Sequence, residues 1–218
     1  MLHMHGQSSL DADCTAQLWF AAAKSESNAA DSGTSRETRR GIERAASRAL
    51  LAKTGEPEMP RRSLTHSGGC AAIAIAPAGC VAGIDIEATQ PRDVLRIAQF
   101  AFAPHEVLQL RSLALPEAAA RFYVLWTLKE AFAKALGMPL LAALRACSFG
   151  CFDDRWAAHI PAVTPWRAIV FAPRPALTLA AVIMGPRNAR REDWICRELP
   201  GAEVETWRCL ARLNSDDY

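Results

Sequence analysis

The chain has 218 residues, of which half are hydrophobic and 22% are charged. That length suits one large domain or two small ones, and that composition builds a core and excludes wholesale disorder. Twenty-five basic against 23 acidic residues leave a net charge of +2, too even a balance for a dedicated nucleic-acid binder, and no apolar run reaches the ~18 residues of a membrane helix.

In Met1 to Leu10 no basic residue leads into an apolar stretch, so no secretory leader is expected. His3 and His5 there read as part of an unstructured end rather than a metal site. The seven cysteines, at 14, 70, 80, 147, 151, 196 and 209, are odd in number and form no C-x-x-C pair, which fits free thiols in the cytoplasm. The segment from Gln17 reads as a short buried strand or turn of helix, and Ser25 to Ser35 as a flexible loop. From Arg36 to Lys53, Ile42, Ala45, Ala46, Ala49 and Leu50 recur at helical spacing, and Gly55, Pro57 and Pro60 end the helix. Arg36, Arg40, Arg44 and Arg48 form a basic stripe along it. With Arg61 and Arg62, residues 36–62 hold eight basic and four acidic side chains, which suits a solvated face or an anionic ligand such as a phosphate ester.

Leu64-Thr-His-Ser-Gly-Gly69 reads as a loop. Thr65, His66, Ser67 and the glycine-backed amides are either a phosphate cradle or a simple turn. Cys70–Ala76 and Val81–Glu87 predict a β-hairpin turning at Ala78-Gly79. Arg92–Ala101 and Pro104–Leu115 predict short helices, and Glu117–Leu136 a long one capped by Gly137 and stopped by Pro139. Strands follow at Arg155–Ile160, Trp166–Phe171 and Leu177–Met184. The stretch from Arg187 to Tyr218 is charged and reads as partly helical, broken at Pro200-Gly201. The order suggests an α+β fold.

Chemistry concentrates in two segments. In Gly83-Ile-Asp-Ile-Glu87, Asp85 and Glu87 share one strand face while Ile84 and Ile86 enter the core. Such a pair is either fully solvated or shares a cation. In Trp126-Thr-Leu-Lys-Glu-Ala-Phe-Ala-Lys-Ala-Leu-Gly137, Trp126, Glu130 and Lys134 share one helix face and Lys129 flanks it. Glu130 and Lys134 make a surface ion pair or part of a site. The chain has 21 Arg and only four Lys, and two of the lysines stand here, as though a compact ammonium were wanted. Asp85, Glu87 and Glu130 are a hard-oxygen set suited to Mg²⁺, with the lysines facing phosphate oxygens. Walker, G-x-G-x-x-G and G-x-S-x-G motifs are absent.

Taken in order, Arg44/Arg48, LTHSG, GIDIE and WTLKEAFAKALG resemble the 4′-phosphopantetheinyl transferases, and the two-domain Sfp-like class more than the short trimeric holo-acyl-carrier-protein synthases. The resemblance runs from about Arg40 to Leu140 and includes Phe100-Ala-Phe-Ala-Pro-His-Glu106. It implies a pseudodimer of two similar α/β halves, residues 1–82 and 83–218, with small antiparallel sheets and the active site between the halves. The donor would be coenzyme A, and the acceptor a serine of an acyl or peptidyl carrier protein of fatty-acid, polyketide or nonribosomal-peptide synthesis. Asp85, Glu87 and Glu130 would match the Mg²⁺ ligands. Lys134 would contact the diphosphate, with Asp85, Glu130 and Lys134 as the catalytic set. Arg44, Arg48, Thr65, His66, Ser67 and Lys129 would bind coenzyme A, and Trp126 would shape the cleft. Gly55-Glu56-Pro57 stands where the family often has Gly-Lys-Pro, so a cation is expected from Arg61 or Arg62 instead. Phe102, the 105–113 helix and Leu140 would meet the carrier. The expected assembly is a cytoplasmic monomer without nucleic-acid or membrane partners. The competing readings are a catalytically silent carrier-binding paralogue and another Mg²⁺-dependent phosphoester hydrolase.

Overall fold

The computed structural model describes residues 15–22, 36–55, 61–152, 155–186, 194–199, 202–203 and 207–217. The expectations for Met1–Leu10, His3, His5, Cys14, the Ser25–Ser35 loop, Pro57, Pro60 and Pro200-Gly201 lie outside these residues.

Helices and strands are mixed and largely grouped in runs, as the α+β reading expects. They are β1 (Ala16–Ala22), α1 (Arg36–Thr54), β2 (Arg62–Ser67), β3 (Cys70–Ile75), β4 (Val81–Ala88), α2 (Val94–Ala101), α3 (Pro104–Arg111), α4 (Leu115–Leu136), α5 (Leu140–Ala146), β5 (Ser148–Phe152), β6 (Arg155–His159), β7 (Trp166–Ala172), β8 (Leu177–Met184), β9 (Trp194–Glu198), β10 (Ala202–Glu203) and β11 (Arg208–Asn214). Three small sheets result, in the orders β10-β9-β1-β3-β2, β11-β7-β8-β4 and β5-β6. Among the described residues every pairing is antiparallel except β1 with β9.

Strand alternation builds the layers. On β1 and β3, Trp19, Ala21, Ala71 and Ile73 pack with Ala46 and Leu50 of α1. The intervening Leu18, Phe20, Ala72 and Ala74 face Ile84, Ile86, Ile169, Phe171, Leu179, Ala181 and Ile183 of the second sheet. The opposite face of that sheet, including Ala168, Val170, Ala180 and Val182, packs with Phe122, Leu125, Leu128 and Phe132 of α4. Each large sheet is therefore apolar on both faces, between a helix and the other sheet.

Three expectations are corrected. The predicted 70–76/81–87 hairpin does not form: β3 pairs with β1 and β2, while β4 pairs with β8 in the other sheet. The short apolar runs are real strands, but β3 finds its hairpin partner upstream. Leu64–Ser67, read as a loop, lies in β2, which turns through Gly68-Gly69 (φ 60° and 80°) into β3 with Ser67 opposite Cys70. Two successive positive φ angles are what a tight two-residue hairpin needs. Finally, the described part of the tail is mainly strand: β9 and β10 extend the first sheet, β11 borders the second, and among the described residues there only 215–217 are helical, as a single 3₁₀ turn. The β7–β8 hairpin and helices α1 to α4 stand where the sequence puts them, with Gly137 capping α4.

Candidate active site

Two strand edges meet at the site. β2 ends the first sheet and β4 ends the second, so β4 has N–H groups with no strand partner on that side. Side chains satisfy them: the hydroxyl oxygens of Ser63, Thr65 and Ser67 accept from Ile84 N (3.1 Å), Ile86 N (3.3 Å) and Ala88 N (3.1 Å). Hydroxyls at every second residue of β2 thus join the sheets, each saving a peptide group from going unsatisfied.

Along the face of β4 turned to α4 stand Gly83, Asp85 and Glu87. A Cβ on Gly83 would collide with the Ala131 carbonyl and the Ala135 amide, so the missing side chain lets α4 approach. That approach delivers Glu130. One carboxylate oxygen from each of Asp85, Glu87 and Glu130 lies within 4.8 Å of the others. Lys134, one helical turn on, donates to Ile84 O at 2.7 Å and pairs with Asp85 Oδ1 at 3.0 Å. The predicted Glu130–Lys134 helix pair gives way here to a bridge between α4 and β4.

The cluster is strained electrostatically. Asp85 is 4% exposed. Burial raises its pKa against the pull of Lys134 and a 3.1 Å hydrogen bond donated by Thr65 Oγ1. Burial and the neighbouring Asp85 charge raise Glu87, opposed by Arg92 and Ser67. Burial and Asp85 push Glu130 up to about 8, outweighing Lys134. Asp85 Oδ2 is buried and accepts no hydrogen bond. Three gathered carboxylates held above their ordinary range, one with an orphaned oxygen, form a site whose negative charge Lys134 and Arg92 balance only in part.

The remaining sequence candidates divide. Thr65 and Ser67 reach the cluster, but their hydroxyls serve β4 and its carboxylates; Ser67 Oγ lies 3.5 Å from Glu87 Oε2. His66 has a half-exposed side chain whose Nδ1 lies 3.2 Å from Glu43 Oε2. Arg44 and Arg48 are exposed on α1, and Arg44 Nε donates to Arg40 O. Lys129 is turned away: its ammonium is fully buried, pairs with Glu106 at 2.9 Å, and donates to the carbonyls of Leu144 and Cys147. Trp126 stacks on Phe122 at 5.6 Å beside the cluster. Phe102, expected to meet a carrier, is buried, stacked on Phe122 at 5.3 Å.

Sequence reasoning missed four residues. Glu43 is buried and accepts from Gly69 N, tying α1 to the β2–β3 turn. Ser63 supplies the first of the three hydroxyls. Arg92 faces Glu87 and stacks over Tyr123 at 5.6 Å. Glu106 is fully buried and accepts from Ala103 N and Phe149 N as well as from Lys129. The alternation Ser63-x-Thr65-x-Ser67 was the visible signal for the edge contact.

Residues 82–170, which carry Asp85, Glu87, Glu130 and Lys134, match the family model of the 4′-phosphopantetheinyl transferase superfamily. A stretch of 98 residues, 41% of the chain, is 39% identical to a protein of Synechocystis sp. described as a "Putative 4'-phosphopantetheinyl transferase", and spans 39% of that protein's length. A crystal structure of holo-[acyl-carrier-protein] synthase from Neisseria meningitidis aligns with 48% of this chain and 97% of its own at 18% identity and a TM-score of 0.39. No described helix is long and apolar enough to cross a membrane.

Proposed function

We propose that this chain, whose central segment carries the sequence of the 4′-phosphopantetheinyl transferase superfamily, transfers the 4′-phosphopantetheine group of coenzyme A to a serine of an apo acyl or peptidyl carrier protein. The observation that carries the reading is the gathering of Asp85, Glu87 and Glu130 within 4.8 Å beside Lys134, inside the matched segment. The donor set fits Mg²⁺: all-oxygen ligands, raised carboxylates and an orphaned Asp85 oxygen. Asp85, Glu87 and Glu130 would hold the ion, which when bound supplies positive charge to the diphosphate and to the leaving 3′,5′-ADP.

The protein's own groups do the rest. The carrier serine Oγ attacks the β-phosphorus, the bond from that phosphorus to the 3′,5′-ADP oxygen breaks, and the serine proton passes to Glu130. Burial and the neighbouring Asp85 raise this carboxyl above its ordinary range, which makes its ionised form a stronger base than an ordinary glutamate. Lys134 spends two of its three N–H donors on Ile84 O and Asp85 Oδ1, which aims the third; its side chain is 35% exposed, so that donor meets the diphosphate. His66, with Arg44 and Arg48 on the basic face of α1, takes the 3′-phosphate end. Phe100, Leu108, Leu140 and Leu141 are exposed on α2, α3 and α5 and offer the carrier an apolar docking face.

The same proposal includes a pseudodimeric arrangement of halves 1–82 and 83–218 with the site along their β2–β4 seam. It is supported by the parallel placement of α1 and α4, each on its own sheet, although β9 and β10 return to the first sheet. A cytoplasmic location accords with the free thiols of the six described cysteines, and a monomer is part of the same proposal.

The test is incubation with coenzyme A, Mg²⁺ and a panel of apo carrier proteins, read by intact mass. A gain of one phosphopantetheine group on at least one carrier is expected. No gain on any, beside a working control enzyme, overturns the reading.

A further inference from the structure

One helix cannot cover a four-stranded sheet. Strands lie about 4.8 Å apart and a helix is about 10 Å across, so it covers about two of them. α4 packs chiefly on β4 and β8, at one side of the second sheet. β7 and β11 make up the other side, where the β5–β6 hairpin touches β11. Between α4, that hairpin and the β7–β8 turn a pocket of about 1120 Å³ opens. None of Asp85, Glu87, Glu130 and Lys134 lines it. Its link to the carboxylate site is Thr89, two residues beyond Glu87, whose N–H donates to Ala176 O of the turn at 2.8 Å.

The walls are largely apolar, with Leu113, Val124, Leu177 and Leu210 among them. Ala120, exposed on α4, leaves the space open. Leu210 stands where β11 shifts register between Cys209 and Ala211, the kind of bulge by which a strand re-aims a side chain. The same pocket holds three arginines against one glutamate. Arg174 is paired with Glu198. Glu117 stands four residues before Arg121, the favoured order for a helix ion pair, yet among the described residues no carboxylate pairs with Arg121 or Arg208. Arg121 lies instead over the Trp156 ring, 4.7 Å from its centroid. Stacking occupies the face of a guanidinium and leaves free the N–H donors on its edge, a fork that fits a carboxylate or a phosphate. A cation held in this way beside apolar walls is complementary to a molecule with an oxyanion at one end and an apolar body at the other.

We propose that this pocket binds a small amphipathic anion, with an apolar chain against Val124, Leu177 and Leu210 and a carboxylate or phosphate head on Arg121 and Arg208. Small-molecule pockets run to about 1,000 Å³, so the space suffices for such a ligand. The site goes beyond the transferase reading and does not rest on it: it shares no residue with the carboxylate cluster and needs neither metal nor carrier protein.

The experiment titrates the full chain by calorimetry with dodecanoate and dodecyl phosphate, each below its micelle concentration. Acetate, which lacks the tail, and dodecyltrimethylammonium, which reverses the charge, are the controls. The wild type should bind at least one of the two dodecyl anions more tightly than either control, and the tighter of the two identifies the head group. Arg121→Met should weaken that binding by about tenfold or more, and Arg121→Lys by less, because an ammonium keeps the charge and loses the fork. Ala120→Trp should abolish it by filling the pocket from an exposed helix position. Thermal melting runs alongside, and Ala120→Trp decides the matter if Arg121→Met does not fold. Three results overturn the site: no binding of either dodecyl anion to the wild type, equal binding of the dodecyl cation, or anion binding left unchanged by Ala120→Trp. A protein that binds these anions and modifies no carrier would keep this site and lose the transferase reading alone.

Discussion

Glu130 is held between opposing demands. Packing against β4 strips water from its carboxyl, Asp85 repels its charge, and Lys134 compensates only in part, so the group sits near 8. Glu130→Gln keeps the shape and removes the titration. It should fold normally and lose about 10²- to 10⁴-fold of the proposed carrier modification, measured as initial rate at saturating coenzyme A. Lys134→Arg tests the ammonium itself. Its Nζ fits between Ile84 O and Asp85 Oδ1. A planar fork cannot keep both bonds and still turn a donor to the cleft, so at least about a tenfold loss of rate is expected in the same assay. Lys129 stands next to Glu130 in sequence with a different task. Its buried pair with Glu106 joins α4 to α3 and, through the Leu144 and Cys147 carbonyls, to α5. Lys129→Met should cost about 3–5 kcal/mol in denaturant unfolding by leaving Glu106 buried and unpaired. Adding Glu106→Gln removes the unpaired charge but turns one acceptor of Ala103 N or Phe149 N into a donor, so it should restore only part of that loss. The sequence showed two lysines five residues apart and no means of telling them apart. The distinction lies in a partner 23 positions away, which no local spacing reveals.

At the scale of elements, the Gly83-Ile-Asp-Ile-Glu87 segment was legible as a strand with its carboxylates on one face and its isoleucines in the core, because period-two alternation is local. Its partner was not. β3 and β4 are joined by a short Pro-Gly-containing turn that looks like a hairpin, yet the chain crosses there from one sheet to the other. The Ser63-Thr65-Ser67 hydroxyls do for β4 what a neighbouring strand would have done, and that exchange of side chain for backbone needs the folded geometry to be seen. The glycine of the segment has its own job in the packing of α4. Gly83→Ala should drive α4 away from β4, destabilising the protein by about 1–3 kcal/mol and separating Glu130 from Asp85 and Glu87. The signature is a loss of Mg²⁺ affinity, by calorimetry, greater than the fall in melting temperature alone explains.

Across the whole molecule, the site is a product of long-range contacts. β2 with β4, and β4 with α4, bring residues 63–67, 85–87 and 130–134 together, and three like-charged groups are gathered where each would be more easily ionised in the unfolded chain. Stability must then depend on pH. Asp85, Glu87 and Glu130 are all raised by folding, Glu130 from 4.5 to about 8. Between those two values the native state binds more protons than the unfolded state, so the stability it contributes is complete below the unfolded pKa and is lost as pH rises through the folded one. Without divalent metal, the melting temperature should fall from pH 6 to pH 8.5, and Glu130→Gln should flatten the fall. Mg²⁺ at the proposed site would favour the ionised carboxylates and so should raise the melting temperature more at pH 8 than at pH 6, with protons released on binding. A metal-free protein whose stability rises over that interval, or an equal Mg²⁺ shift at both pH values, would contradict the electrostatics assigned to this cluster.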